Sequence, residues 1–156
     1  MKCVVAGLLF ALLLAACSSV PPASAPASPA AHETPDTQAL EALNKAVQPL
    51  LAQARATYPE AKRRFLAGLP QGDRFYVSVT LKDPTGRRQQ AYVNVATYQG
   101  NTVLGRIASD VDRIAGYAVG DPYTGAESAV IDWVIIHPDG SEEGKFVGRF
   151  LEGKAR

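Results

Sequence analysis

The side chains best suited to chemistry in this 156-residue chain crowd into its C-terminal third. Ser128, Asp132 and His137 have the types of a nucleophile, an orienting acid and a base. No Gly-x-Ser-x-Gly elbow surrounds Ser128 to expose its hydroxyl. His137 heads a Pro138-Asp139-Gly140 turn, where an imidazole ordinarily faces solvent. The other histidine, His32, lies in a Pro/Ala-rich stretch. Carboxylate chemistry is the remaining catalytic option, with Asp121, Glu127 and Asp132 as the acids of a hydrolase. Asp110, Asp112 and Asp121 have the oxygen ligands a hard cation takes, but not the EF-hand spacing, and loop aspartates usually cap turns. The sequence therefore assigns no catalytic residue, and we expect neither metal nor cofactor.

Binding is better served than catalysis. Arg106, Asp121, Tyr123, Asp132 and Trp133 are the candidate ligand- or partner-binding residues. Alternation along residues 130–136 puts Asp132 on the face of Val130, Val134 and Ile136, which predicts a buried carboxylate. A buried carboxylate must be paired, either with backbone amides of a nearby turn or with an arginine such as Arg106. A raised pKa in the service of proton transfer is the competing reading. Trp133, the single tryptophan, falls on the other face with Ile131 and Ile135, as core packing or as a stacking surface. Lys62, Arg63 and Arg64 read as a solvated helix face, with lipid headgroup contact as a second use. Gly100, Gly105, Gly116, Gly120 and Gly125 suit turns and bulges and form no phosphate loop.

Helices come first, then strands. Leu40, Leu43, Val47, Leu50, Leu51 and Ala54 recur at three- and four-residue steps and define one apolar stripe. Thr34 or Asp36 caps its start. Pro49 predicts a kink or break, and Tyr58-Pro59 an end, followed by a short second helix over residues 60–66. After Pro70 the period becomes two. Phe75, Val77, Val79 and Leu81 alternate with polar residues, and an Asp83-Pro84-Thr85-Gly86 turn leads into a strand over residues 90–98. Matching apolar faces pairs Leu81 with Ala91, Val79 with Val93 and Val77 with Val95. That register places Tyr76, Ser78, Thr80, Tyr92, Asn94 and Tyr98 together on the second face. Further strands are expected over residues 102–107, 114–119, 130–136 and 145–151, the third of these a central one. The expected class is α+β: N-terminal helices, then five or six antiparallel strands.

The first 36 residues are of another kind. Lys2 precedes a 13-residue apolar run over residues 4–16, shorter than the roughly 20 that span a bilayer. The run has the length of a signal-peptide core. It closes on Leu14-Ala15-Ala16-Cys17, which resembles the lipobox of bacterial lipoproteins. The resemblance implies a cleaved signal peptide over residues 1–16 and a diacylglycerol-bearing, acylated Cys17. Ser18 in place of an Asp implies the outer membrane, facing the periplasm. Cleavage also removes Cys3, so the mature chain has no free thiol and no disulfide. Residues 17–36, with Pro21, Pro22, Pro26, Pro29 and Pro35, read as the lipidated cysteine and a disordered linker. Residues 37–156 are then a single domain. With 15 basic and 15 acidic side chains left after the cut, nothing marks the mature chain as a nucleic-acid binder. The expected partners are the membrane, through the lipid, and an envelope protein or peptide.

Residues 58–151 resemble the YegJ-like bacterial domain family of unknown function. The resemblance rests on Tyr58-Pro59-Glu60-Ala61, Tyr92-Val93-Asn94-Val95 and Gly105-Arg106-Ile107-Ala108. It continues in Gly120-Asp121 with Tyr123 and Glu127, in Ile131-Asp132-Trp133, and in Pro138-Asp139-Gly140 with Glu142, Glu143, Gly144 and Gly148. It implies no activity and no catalytic residue. The order of helices then strands is compatible with a strongly curved sheet such as an SH3-like half barrel.

Overall fold

A computed structural model of the chain describes residues 35–154. The leader, Cys17 and the linker up to residue 34 lie outside the described residues. Pro35 and Asp36, which composition assigns to the linker, already belong to the first helix, α1 (Pro35–Ala67). The chain continues through β1 (Arg74–Lys82), β2 (Arg88–Gln99), β3 (Thr102–Ile107), β4 (Pro122–Ala126), a 3₁₀ turn (Glu127–Ala129), β5 (Asp132–Ile136), β6 (Glu142–Gly144) and α2 (Phe146–Lys154). The six strands form one open antiparallel sheet in the order β4-β3-β2-β1-β5-β6. The fold is α+β, as the sequence leads one to expect.

One long helix replaces the two expected. Pro49 and Pro59 both lie within α1. Each removes an N–H and frees a carbonyl four residues earlier, at Lys45 and Arg55. Both prolines are solvent-exposed, so water satisfies the freed carbonyls and neither side chain interrupts the face that meets the sheet. Ala54 and Ala61 are buried on that face, and Tyr58 and Phe65 pack against the same core.

The core is the inner face of the sheet: Phe75, Val77, Val79, Leu81, Ala91, Val93, Val103, Trp133 and Ile135. The β1–β2 register pairs Val77 with Val93 and Val79 with Ala91, two residues from the expected pairing. An even shift leaves every side chain on its face. The turn sets it. Asp83 Oδ1 accepts from Thr85 N at 2.8 Å, Thr85 Oγ1 at 2.7 Å and Arg87 N at 3.0 Å, so the strands close between Lys82 and Arg88. These bonds, first that from the Thr85 hydroxyl, hold the Asp83 carboxyl below its ordinary range.

A register shift in β2 between Val95 and Thr97 has a larger effect. The extra residue reverses the alternation beyond it. Tyr98 therefore leaves the outer face, where alternation puts it, and enters the inner one. There it meets Phe65 edge-on at 5.9 Å and shares a 2.8 Å hydrogen bond with Tyr58.

Two expected strands are absent. Residues 114–119 lie in an irregular loop that inserts Val111 and Ile114 into the core. Residues 145–151 are mostly α2, because Gly144 (φ 84°) and Lys145 (φ 57°) turn the chain out of the β5 ladder into the left-handed region. A side chain at Gly144 would also strike the Trp133 carbonyl and ring. Conversely, β4 and β6 form where no strand is expected. β5 is an interior strand, one position from the edge.

Candidate functional site

Two concave surfaces flank β5. The inner one is a cleft of about 300 Å³ between α1 and residues 127–133, bordered by Arg55, Tyr58, Glu127, Asp132 and Trp133. The polar atoms of Tyr58, Glu127, Asp132 and Trp133 in it are already engaged. Lys62 Nζ holds both oxygens of Glu127 at 2.7 Å and lies 4.6 Å from the Tyr98 ring centroid. Burial and the Tyr98 contact raise the Tyr58 pKa. Burial likewise pushes Tyr98 up to about 12, with the Glu127 charge adding to it against the Tyr58 hydrogen bond. Trp133 Nε1 donates to Thr57 Oγ1 at 3.0 Å. Its ring is in the core between Phe75 and Phe146.

Asp132 is 1 % exposed and is the most deeply buried acid among the described residues. Its Oδ1 accepts from its neighbour Trp133 N at 2.9 Å. Its Oδ2 accepts from Val147 N at 2.8 Å and Gly148 N at 3.2 Å, two free amides in the first turn of α2. The carboxylate thus caps a helix that starts 14 residues further on, with its charge at the positive end of the helix dipole. Of the two pairings the sequence leaves open, the amides are the one found. Arg106 instead donates from Nη1 to the Gly120 carbonyl at 2.8 Å.

The other expected site residues gather elsewhere. Arg106 and Tyr123 lie on the paired strands β3 and β4, and Asp121 immediately precedes β4. Asp121 Oδ2 accepts from Ala118 N at 2.7 Å and ties the loop. Tyr123 is half-buried against the core, and burial raises its pKa. The five candidates therefore split into a loop-closing group, Arg106, Asp121 and Tyr123, and a β5 pair, Asp132 and Trp133. The triad on paper does not assemble, since His137 Nδ1 pairs with Asp73 Oδ1 at 3.0 Å and Asp132 is occupied by α2. Asp110, Asp112 and Asp121 gather into no three-ligand group among the described residues. Of the basic triplet, Lys62 is tied to Glu127, Arg63 to Glu60 and Arg64 to Glu143.

The outer surface is what sequence reasoning left unassigned. Three adjoining depressions of about 240, 200 and 250 Å³ run along the outer sheet face, the third of them against α2. The first and second share Tyr76 and Ile136, and the second and third share Tyr92 and Ser109, so they form one groove. Under its centre the pairing Tyr92–Ser78–Asp132 crosses three strands. Ser78 is small, fully buried, and receives Gln90 Nε2 at 2.5 Å. The Tyr92 hydroxyl reaches α2, where a Cβ at Gly148 would fall on it. Glycine is required there by close approach. Burial, with the Asp132 charge behind it, pushes Tyr92 up to about 12. Its buried Oη finds no hydrogen-bond partner, and neither does Asp73 Oδ2 at the other end. Tyr76 and Tyr92 were legible as a pair on one face. Arg74 and Lys145, the groove's cations, carried no signal, because one opens a strand and the other was expected within one.

Scanned against family models, curated proteins and solved structures, the chain has no significant match.

Proposed function

We propose that the chain is a lipid-anchored cell-envelope protein whose folded domain is a non-catalytic binding domain, with its ligand seated in the outer groove. The observation that carries this reading is the contrast in polar satisfaction. α1 covers the inner face, and Tyr58 with Tyr98 and Lys62 with Glu127 pair there. On the outer face α2 borders one end through Gly148, Leu151 and Glu152, while Tyr76 and Ile136 stay partly exposed and Arg74 is exposed. A concave, partly apolar surface with a few convergent polar groups is the usual form of a binding site. The anchor rests on Lys2, the apolar run over residues 4–16 and Leu14-Ala15-Ala16-Cys17. The second reading, a carboxylate-based periplasmic hydrolase, draws support from the inner cleft, which Glu127 and Asp132 both border.

A photo-crosslinking residue introduced in intact cells at Tyr76, and separately at Arg55, tests the choice. Adducts at position 76 and none at 55 are expected, and the reverse pattern favours the hydrolase. For the anchor, Cys17→Ser is expected to abolish acylation and to release or misprocess the protein. Membrane retention of that variant after alkaline washing would sink the lipoprotein reading.

A further inference from the structure

The groove is electrically polar along its length. Arg74 and His137 border one end. Arg74 is exposed and forms no ion pair among those found in the described residues. His137 is oriented by the Asp73 carboxylate on Nδ1, and its other ring nitrogen donates to a ligand carboxylate when the ring carries both protons. Asp110 and Glu152 border the far end. Lys145 sits between Glu142 and Glu152 at 2.8 and 2.9 Å, so its single charge leaves that end net acidic. Burial draws the Lys145 ammonium down, but the two carboxylates prevail and keep it charged.

The two ends are separated along β1. Arg74 marks the start and Thr80, the partner of Gln90, the finish. Six residues of strand span about 20 Å. The floor between them offers aromatic and aliphatic surface with few hydrogen-bonding groups, which suits a short apolar chain better than an oligosaccharide. A guanidinium beside an imidazole matches one planar carboxylate. A dianionic phosphate would call for more donors than border that end.

Building on the groove reading, we propose that this surface captures a short extended peptide by its free C-terminal carboxylate. The carboxylate sits between Arg74 and His137, and the N-terminal amine lies toward Asp110 and Glu152. At about 3.3 Å per residue, some six residues fill it.

The test is calorimetric titration of the mature chain with the hexapeptide Ala-Val-Ala-Ser-Val-Ala in free-acid, C-amidated and N-acetylated forms. Backbone amide shifts of Tyr76 and Tyr92 report where it sits. The free acid is expected to bind on the order of tenfold more tightly than the amide, the scale of one charge-assisted contact. Arg74→Gln and His137→Gln are each expected to bring it down to the amide's affinity, with Arg74→Lys recovering part. Acetylation is expected to weaken binding severalfold, and no effect would remove the acidic end from the site. If acid and amide bind alike and both move Tyr76 and Tyr92, carboxylate capture is wrong while the groove reading stands. If no form moves those residues, the peptide is overturned as ligand, and the groove reading then rests on the crosslinking contrast alone.

Discussion

The inner cleft and the outer groove differ less in size than in what their polar atoms are doing. In the cleft, Lys62, Glu127, Tyr58, Tyr98 and Trp133 Nε1 all point to one another or to α1. In the groove, Arg74, like Arg55 beside the cleft, forms no ion pair among the described residues, and the Tyr92 hydroxyl is buried against α2 without a partner. A buried polar group left unpaired costs free energy that folding alone has no reason to incur, whereas a paired one holds elements together. The cleft thus has the chemistry of a joint between α1 and the sheet, whereas the groove keeps an exposed, unpaired cation at Arg74.

The contrast can be broken by substitution. The largest effect is expected at Asp132, which serves both surfaces by fixing α2. Asp132→Asn sets an NH₂ against amide donors and should destabilise the domain by roughly 1–3 kcal/mol, read from denaturant curves at neutral pH. An equally stable variant would mean the acid is held neutral and would revive the hydrolase. Next comes the joint. Lys62→Met leaves the Glu127 carboxylate alone in a mostly buried place. A double-mutant cycle with Glu127→Gln should return a coupling of about 1–2 kcal/mol, above that of an exposed pair. A coupling near zero would make the cleft's pairing incidental. Tyr92→Phe should leave stability level or raise it by up to about 1 kcal/mol, since it deletes an orphan hydroxyl. A loss would show that the hydroxyl has a partner in solution. Smallest of all, Arg74→Gln should move stability by no more than about 0.5 kcal/mol, as for an exposed side chain outside the packing. A larger loss would reassign Arg74 to structure.

Face membership was legible in the sequence wherever the period was intact. Val77, Val79, Ala91 and Val93 reach the core despite a two-residue error in register, because parity alone decides the face. Tyr98 was not legible, since one inserted residue reverses the rule and nothing local announces it. The continuous α1 also escaped the sequence. A proline's cost depends on whether its side of the helix meets solvent, which only the packed structure reveals. α2 was hidden for a different reason. Its Phe146/Phe150 and Val147/Leu151 spacings are helical, yet the carboxylate that caps it lies on another strand. As for the site, Asp132 was found for the right physical reason, its burial, and the groove was half found through Tyr76 and Tyr92. Arg74 and Lys145 join them only through strand order and a turn with positive φ.

The strand order has one more consequence, for how copies of the domain tolerate crowding. An open sheet presents two rows of unpaired N–H and C=O groups, and a long flat edge invites zipping onto a neighbour. Here both edges are short. β6 is three residues long and turns at once into a helix. β4 is five residues long and begins with Pro122, which has no N–H to donate. The long strands β1 and β2, with nine and twelve residues, are confined to the middle of the sheet. β5 pairs with Arg74–Ser78 of β1 and β3 with Val93–Gln99 of β2, so only the remaining halves of the long strands keep one side free of a ladder partner, and dense packing should favour solitary domains over fibrils.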